Sequence, residues 1–114
     1  MNLMSDTQGD CLIIKVAEPR IDAAAAVEFK DSMRGMVEDG PGRVVLDLGD
    51  VDSIDSSGLG AIVAIMKMIG PDRKLELCAL SNKVKTVFRL TRMDAVVTIH
   101  NALEDALSPL PHAS

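Results

Sequence analysis

The chain has 114 residues, 47% of them hydrophobic, and a net charge of −5. That is one ordinary domain able to bury a core without staples, and the apolar content excludes a disordered chain. The acidic balance, with no Lys/Arg cluster and no aromatic stacking platform, argues against nucleic acid as the main partner. No stretch approaches the ~20 apolar residues of a membrane span, and the start "MNLMSDTQGD" lacks the basic and apolar regions of a signal peptide, so the expected location is the cytoplasm. Cys11 and Cys78 lie in apolar runs without metal-ligand spacing and read as buried free thiols, which fits a reducing compartment.

In chain order, "CLIIKVAE" (11–18) follows the turn residues Gln8-Gly9-Asp10 and predicts a strand, with "NLMSDT" able to pair along its edge. Asp22 predicts an N-cap for "AAAAVEFKDSMRGMVED", where Ala26, Phe29, Met33, Met36 and Val37 recur at helical spacing. Gly40-Pro41-Gly42 ends that helix. "RVVLDL" (43–48) is a near-continuous apolar run and predicts a buried strand. "GDVDSID" is a loop, and a second helix begins near Ser57. Gly70-Pro71-Asp72 introduces "KLELCAL" (74–80), another strand. Ser81 caps "NKVKTVFRLT", with Val84, Val87, Phe88 and Thr91 on one face. "AVVTIH" (95–100) predicts the last strand, and Asn101 with Glu104 a capping box for "ALEDAL".

Strands alternating with helices predict one α/β domain. Its mixed sheet should have four or five strands, largely parallel, covered by about four helices. The core should run from about residue 10 to 108, with a flexible tail at 109–114.

The chemistry turns on Asp55-Ser56-Ser57-Gly58 at the mouth of the second helix. A hydrolase elbow, Gly-x-Ser-x-Gly, does not fit, because Ile54 or Asp55 stands where the first glycine belongs. The histidines, His100 at a strand end and His112 in the tail, offer no evident general base. A phosphate loop lacks its lysine, since Ala61 follows Gly60. A dinucleotide fingerprint lacks its third glycine, since Val63 stands there. A phospho-accepting aspartate of the receiver type needs an acidic pair after the first strand and a lysine after the last. "IIKVAEPR" and "VVTIHN" supply neither, and the carboxylates to hold magnesium are missing. No catalytic residue, metal or cofactor is implied. Two compatible readings remain: a serine as helix N-cap, worth about 1 kcal/mol, and a serine as phosphate acceptor.

The helix that follows carries more than a cap requires. Leu59, Ile62, Val63, Met66 and Ile69 share one stripe at about 100° per residue and read as its core face. The opposite face then holds Ser57, Gly60, Ala61, Ala64 and Met68, small and apolar, with Lys67 the helix's only charge. Solvent faces normally carry charge, so this face reads as a docking surface. The alternative is that a loop covers it.

These residues match a family. "RVVLDLGDVDSIDSSGLGAIVAIMK" resembles the STAS domain, in particular the bacterial anti-sigma factor antagonists, whose hallmark is an apolar strand, an acidic loop and Asp-Ser-Ser-Gly-Leu/Thr opening a helix. "RIDAAAAVEFK" is similar to the family's first helix, and "LELCALSNKVKTVFRLTRMDAVVTIHNALEDAL" to its later strands and helices. In that family the first serine after the aspartate is phosphorylated, which here is Ser56. The resemblance implies a non-catalytic switch. The unphosphorylated antagonist binds an anti-sigma factor that is also an ATP-dependent serine kinase of histidine-kinase-like fold, and so releases a sigma factor or another client. Phosphorylation ends binding, and a metal-dependent phosphatase restores it.

On this reading Asp55 presents Ser56 to the kinase, and Gly58 lets the partner backbone approach, unless it only serves the helix start. Two departures stand out. Pro19-Arg20-Ile21-Asp22 replaces the family's frequent Gly-Glu-Leu-Asp, and Asp52 is an additional acidic residue, so Asp22 and Asp52 join the expected partner surface. The rivals are a STAS subunit of a membrane transport complex and, from another class, a phosphorelay receiver.

Overall fold

A computed structural model of the chain describes residues 1–38, 40 and 42–107. The expectation for the tail, His112 included, and the part of the Gly40-Pro41-Gly42 stop that rests on Pro41 fall outside these residues. The elements are β1 (Leu3–Gln8), β2 (Cys11–Val16), β3 (Arg20–Ile21), α1 (Ala23–Val37), β4 (Arg43–Asp47), β5 (Ser53–Ile54), α2 (Ser56–Ile69), β6 (Lys74–Cys78), α3 (Asn82–Leu90), a 3-10 turn (Met93–Ala95), β7 (Thr98–His100) and α4 (Leu103–Leu107). Five strands form a mixed sheet in the order β1-β2-β4-β6-β7. β1 is antiparallel to β2, and the remaining pairs are parallel. The mixed α/β sheet with four helices is as the sequence implies. Gly9, at φ +59°, makes the two-residue turn between β1 and β2.

The apolar strand runs are near-continuous because both sheet faces are covered. One face carries Leu12, Ile14, Val16, Val44, Leu46, Leu75 and Leu77, all buried with Phe29 and Met33 of α1, Ile62 and Ile65 of α2, and Val84 and Phe88 of α3. The other face carries Cys11, Ile13, Val45 and Cys78, buried together with Ala106 of α4. Both thiols are free and buried. Burial pushes the Cys78 thiol up to about 12 and raises that of Cys11, so neither is a ready nucleophile.

Two elements depart from the sequence expectation. "AVVTIH" has the β propensity of a six-residue strand, yet only Thr98–His100 pairs with β6. Arg92 enters the left-handed region at φ 61°, and the amides of Val96 and Val97 both donate to the Met93 carbonyl. That turn consumes the residues that would have begun the strand. The acidic loop is also more ordered than expected. Ser53–Ile54 pairs in parallel with Arg20–Ile21 as a separate two-stranded sheet, and Val51 is fully buried beneath it.

The second sheet face holds one buried carboxylate. Glu76, 4% exposed, accepts two hydrogen bonds from the Arg43 guanidinium at 2.7 and 2.8 Å, and lies 2.7 Å from His100 Nε2. Arg43 also donates to the Ala106 carbonyl at 2.8 Å, tying α4 to the sheet. The Arg43 hydrogen bonds hold the Glu76 carboxyl below its ordinary value, against the opposing effect of burial. A carboxyl lowered in this way stabilises the fold above the ordinary glutamate range, and loses that contribution as pH falls through its folded value. Glu76→Gln should therefore cost about 1–3 kcal/mol at pH 7. The gap to wild type should narrow as pH falls below the ordinary glutamate value of about 4.3, where the unfolded chain takes up the proton first, and close once the folded carboxyl protonates further down. Urea melts of both proteins across that range provide the measurement, and a pH-independent gap contradicts the linkage.

Candidate functional site at the mouth of the second helix

The same local arrangement occurs twice. β3 ends at Ile21, and Asp22 caps α1 with φ −111° and ψ −173°, its Oδ1 accepting from the Ala25 amide at 3.1 Å. β5 ends at Ile54, and Asp55 caps α2 with φ −108° and ψ −173°, its Oδ1 accepting from the Gly58 amide at 3.0 Å. Parallel pairing of Ile21 with Ile54 sets the two caps side by side. The Asp55 amide donates to the Ile21 carbonyl at 3.4 Å, and the Asp52 amide to that of Pro19 at 2.7 Å. The two helix N-termini thus open at one edge of the molecule.

The cap is an aspartate, not a serine. Ser56 and Ser57 are the first two residues of α2, both exposed. Neither hydroxyl has a hydrogen-bond partner among the described residues. With the capping role taken by Asp55, both hydroxyls are available to another molecule. Asp52 is exposed, and its carboxylate lies 3.6 Å from Lys83 Nζ. Both side chains are well exposed, so this pair adds little stability. Asp22 is half-buried by its capping contact.

The orientation of α2 differs from the sequence expectation. Its buried residues are Gly58, Ala61, Ile62, Ile65 and Ile69, while Leu59, Val63 and Met66 are only half-buried. Gly58 and Ala61 therefore leave the expected partner surface. A Cβ on Gly58 would overlap the Ile21 carbonyl oxygen and lie 2.6 Å from Ile54 Cγ1. The close neighbour of Gly58 is this chain's own backbone rather than a partner's. Gly60 faces open space. Ala64 is half-buried, and Met68 is half-buried against the core. The outward side of the helix carries Ser56, Gly60 and Lys67, all exposed.

Sequence reasoning passed over Ile21, Ile65 and the β3–β5 pairing. A signal existed in the recurrence of Ile-Asp immediately before each helix, Ile21-Asp22 and Ile54-Asp55. Chemically the site offers exposed hydroxyls at a helix N-terminus, flanked by carboxylates. No three His, Cys, Asp or Glu side chains among the described residues converge to hold a metal ion. No described helix is long and apolar enough to cross a membrane.

The STAS domain family model matches residues 2–106. The candidate anti-sigma factor antagonist BtrV of Bordetella bronchiseptica is 30% identical over 98 residues, covering 85% of this chain and 84% of that protein. Among solved structures, a candidate anti-sigma factor antagonist of Thermotoga maritima superposes with a TM-score of 0.81 at 29% identity, covering 92% of this chain and 91% of that one. SpoIIAA of Bacillus in its phosphorylated form shares the fold, with a TM-score of 0.67 at 14% identity over 93% of this chain and 96% of that one.

The two glycines of the first turns of α2 should respond oppositely to a methyl group. Gly58→Ala should lose about 1–3 kcal/mol, because the new Cβ meets backbone that cannot give way. Gly60→Ala should be neutral or gain up to about 1 kcal/mol from helix propensity. Thermal melts decide it; equal stability of the two variants contradicts the close approach at Ile21.

Proposed function

Because the chain belongs to the STAS domain family, with anti-sigma factor antagonists among its relatives, we propose that it is a cytoplasmic, non-catalytic antagonist in a partner-switching pathway. Unphosphorylated, it binds an anti-sigma factor at the mouth of α2 and releases the sigma factor or other client. The partner's serine kinase activity then phosphorylates Ser56 and ends binding, and a metal-dependent phosphatase reverses the step. The observation that carries this reading is the exposed, unengaged Ser56 hydroxyl at the first residue of a helix already capped by Asp55.

Electrostatics give the switch its direction. A phosphate adds roughly −1.5 to −2 charge at pH 7. The dipole of a 14-residue helix accommodates that charge at its N-terminus. The fold therefore has no reason to open. A partner pressed against the same edge meets the new dianion together with Asp52 and Asp55, and repulsion plus desolvation oppose docking. Moving from mostly bound to mostly free takes about 5.5 kcal/mol of differential binding, and a dianion forced into an interface supplies a large part of that.

Capture of partners on the Ser56→Ala protein, identified by mass spectrometry, supplies the binding protein for the test. With that partner and ATP, wild type should acquire one acid-stable phosphate at Ser56. Ser56→Asp should bind it at least about tenfold more weakly than wild type, while Ser56→Ala binds normally. All three should share one circular dichroism spectrum. Undiminished binding by Ser56→Asp rejects the switch at this residue.

The corrected orientation of α2 yields a separate prediction. Ala61→Glu should unfold the domain as Ile62→Glu does, because both put an unpaired charge into the core. Gly60→Glu should change stability by no more than about 1 kcal/mol and abolish partner binding. Melts and binding isotherms on the three variants test this together. A folded Ala61→Glu protein, or tight binding by Gly60→Glu, contradicts the assignment of faces.

A further inference from the structure

The opposite end of α2 borders a groove of about 420 Å³ that the switch does not use. It exists because β7 is short. β6 pairs with β4 along its whole length, from Lys74 to Cys78, but with β7 only at Glu76–Cys78. Lys74 and Leu75 thus have no strand on their outer side. The segment that would have supplied one turns away through the Met93 carbonyl, and leaves Val96 58% exposed beside the gap.

The walls of the groove are aliphatic. Met66 of α2, Leu75 of β6 and Val96 line it. The rim is basic. Lys67 and Lys74 both line the groove and are exposed, and neither has an ion-pair partner among the described residues. Arg73 also lines it, and donates to the Val37 carbonyl. None of the described residues that line the groove is a carboxylate. In a chain of net charge −5, this is cationic edging on an apolar slot. Lys67 sits in the last turn of α2, where the helix dipole already favours a cation. Lys74, at the start of a strand, has no such account.

The volume lies in the range of small-molecule sites, and such sites combine apolar walls with a few placed polar groups. We propose that this groove binds a small amphipathic carboxylate. Its aliphatic body lies against Met66, Leu75 and Val96, and its head pairs with Lys67 and Lys74. The aliphatic walls carry no aromatic surface for a nucleobase. The site is independent of Ser56, and its failure leaves the switch reading untouched.

The test is an NMR titration of the intact chain with sodium decanoate, kept below its micelle concentration, following methyl and amide resonances. Saturable shifts at Met66, Leu75 and Val96, with Ser56 unmoved, are expected. Decanol and decyltrimethylammonium should each bind at least about tenfold more weakly, because each lacks the anion. The Lys67→Glu/Lys74→Glu protein should lose decanoate binding by about tenfold or more, and Val96→Asp should do the same by placing a negative charge at the mouth. Circular dichroism confirms that these exposed substitutions leave the fold intact. The proposal is overturned by the absence of saturable shifts, by shifts confined to other surfaces, by decanol matching decanoate, or by undiminished affinity in both variants.

Discussion

The contact between Gly58 and the Ile21 carbonyl organises the edge of the molecule where the two helices begin. It brings the first turn of α2 down onto β3, and no side chain larger than hydrogen fits between them. With that turn so placed, Asp55 completes the cap by accepting from the Gly58 amide, and Asp22 does the same one strand away. Parallel pairing of Ile21 with Ile54 aligns the two caps. Everything functional at this edge follows from that close approach. The serines point outward because their backbone lies on the first turn of a helix whose inner side is pressed against its neighbour.

On the proposed reading, capping and switching fall to different residues, and that separation has a physical consequence. If a serine supplied the cap, modifying it would remove a hydrogen bond worth about 1 kcal/mol as well as add charge. Asp55 keeps the cap in either state. The phosphate would then act on what approaches the surface, and the core beneath would have no cause to rearrange. Ile62 and Ile65 are fully buried one and two turns further along, which ties the helix firmly to the sheet. The expected response is a local electrostatic change rather than a transmitted movement.

The legibility of each element in the sequence followed from contrast between its faces. The buried face of α1 was readable because charged residues alternate with Ala26, Phe29, Met33, Met36 and Val37, of which all but the half-buried Met36 are buried. The runs at 43–48 and 74–80 were readable as strands because both faces of the sheet are covered. The orientation of α2 was not readable. With Lys67 its only charge, almost any stripe around the helix looks apolar. The residues that turn inward at its start, Gly58 and Ala61, are small because space is short there, and in sequence alone smallness does not distinguish a tight interior from an open surface. The two-residue strands β3 and β5 are too short to show any period. "AVVTIH" misled because strand propensity describes the side chains, whereas the turn through Arg92 and Met93 decided where pairing could begin. At the site, the motif drew attention to Ser56 and Ser57 correctly as helix-opening residues, but it could not say which residue capped.

The two sheet faces are held in different ways, and this bears on where the molecule can tolerate change. The face under α1, α2 and α3 is held mainly by packing, with apolar side chains and two phenylalanines filling it. The face under α4 is held partly by charge, since the five described residues of that helix bury only Ala106 fully. Arg43 compensates by joining the Glu76 carboxylate to the Ala106 carbonyl, one guanidinium spanning strand and helix. A bidentate pair of this kind fixes geometry more firmly than a single hydrogen bond. Its buried partner makes it costly to break rather than cheap to form. The edge at Ser56, where docking is proposed, is built on the first kind of support, rigid packing beneath a small and open surface. A partner surface that must be recognised in one state and refused in another gains from that rigidity, because the added charge then cannot be relieved by moving the helix that carries it.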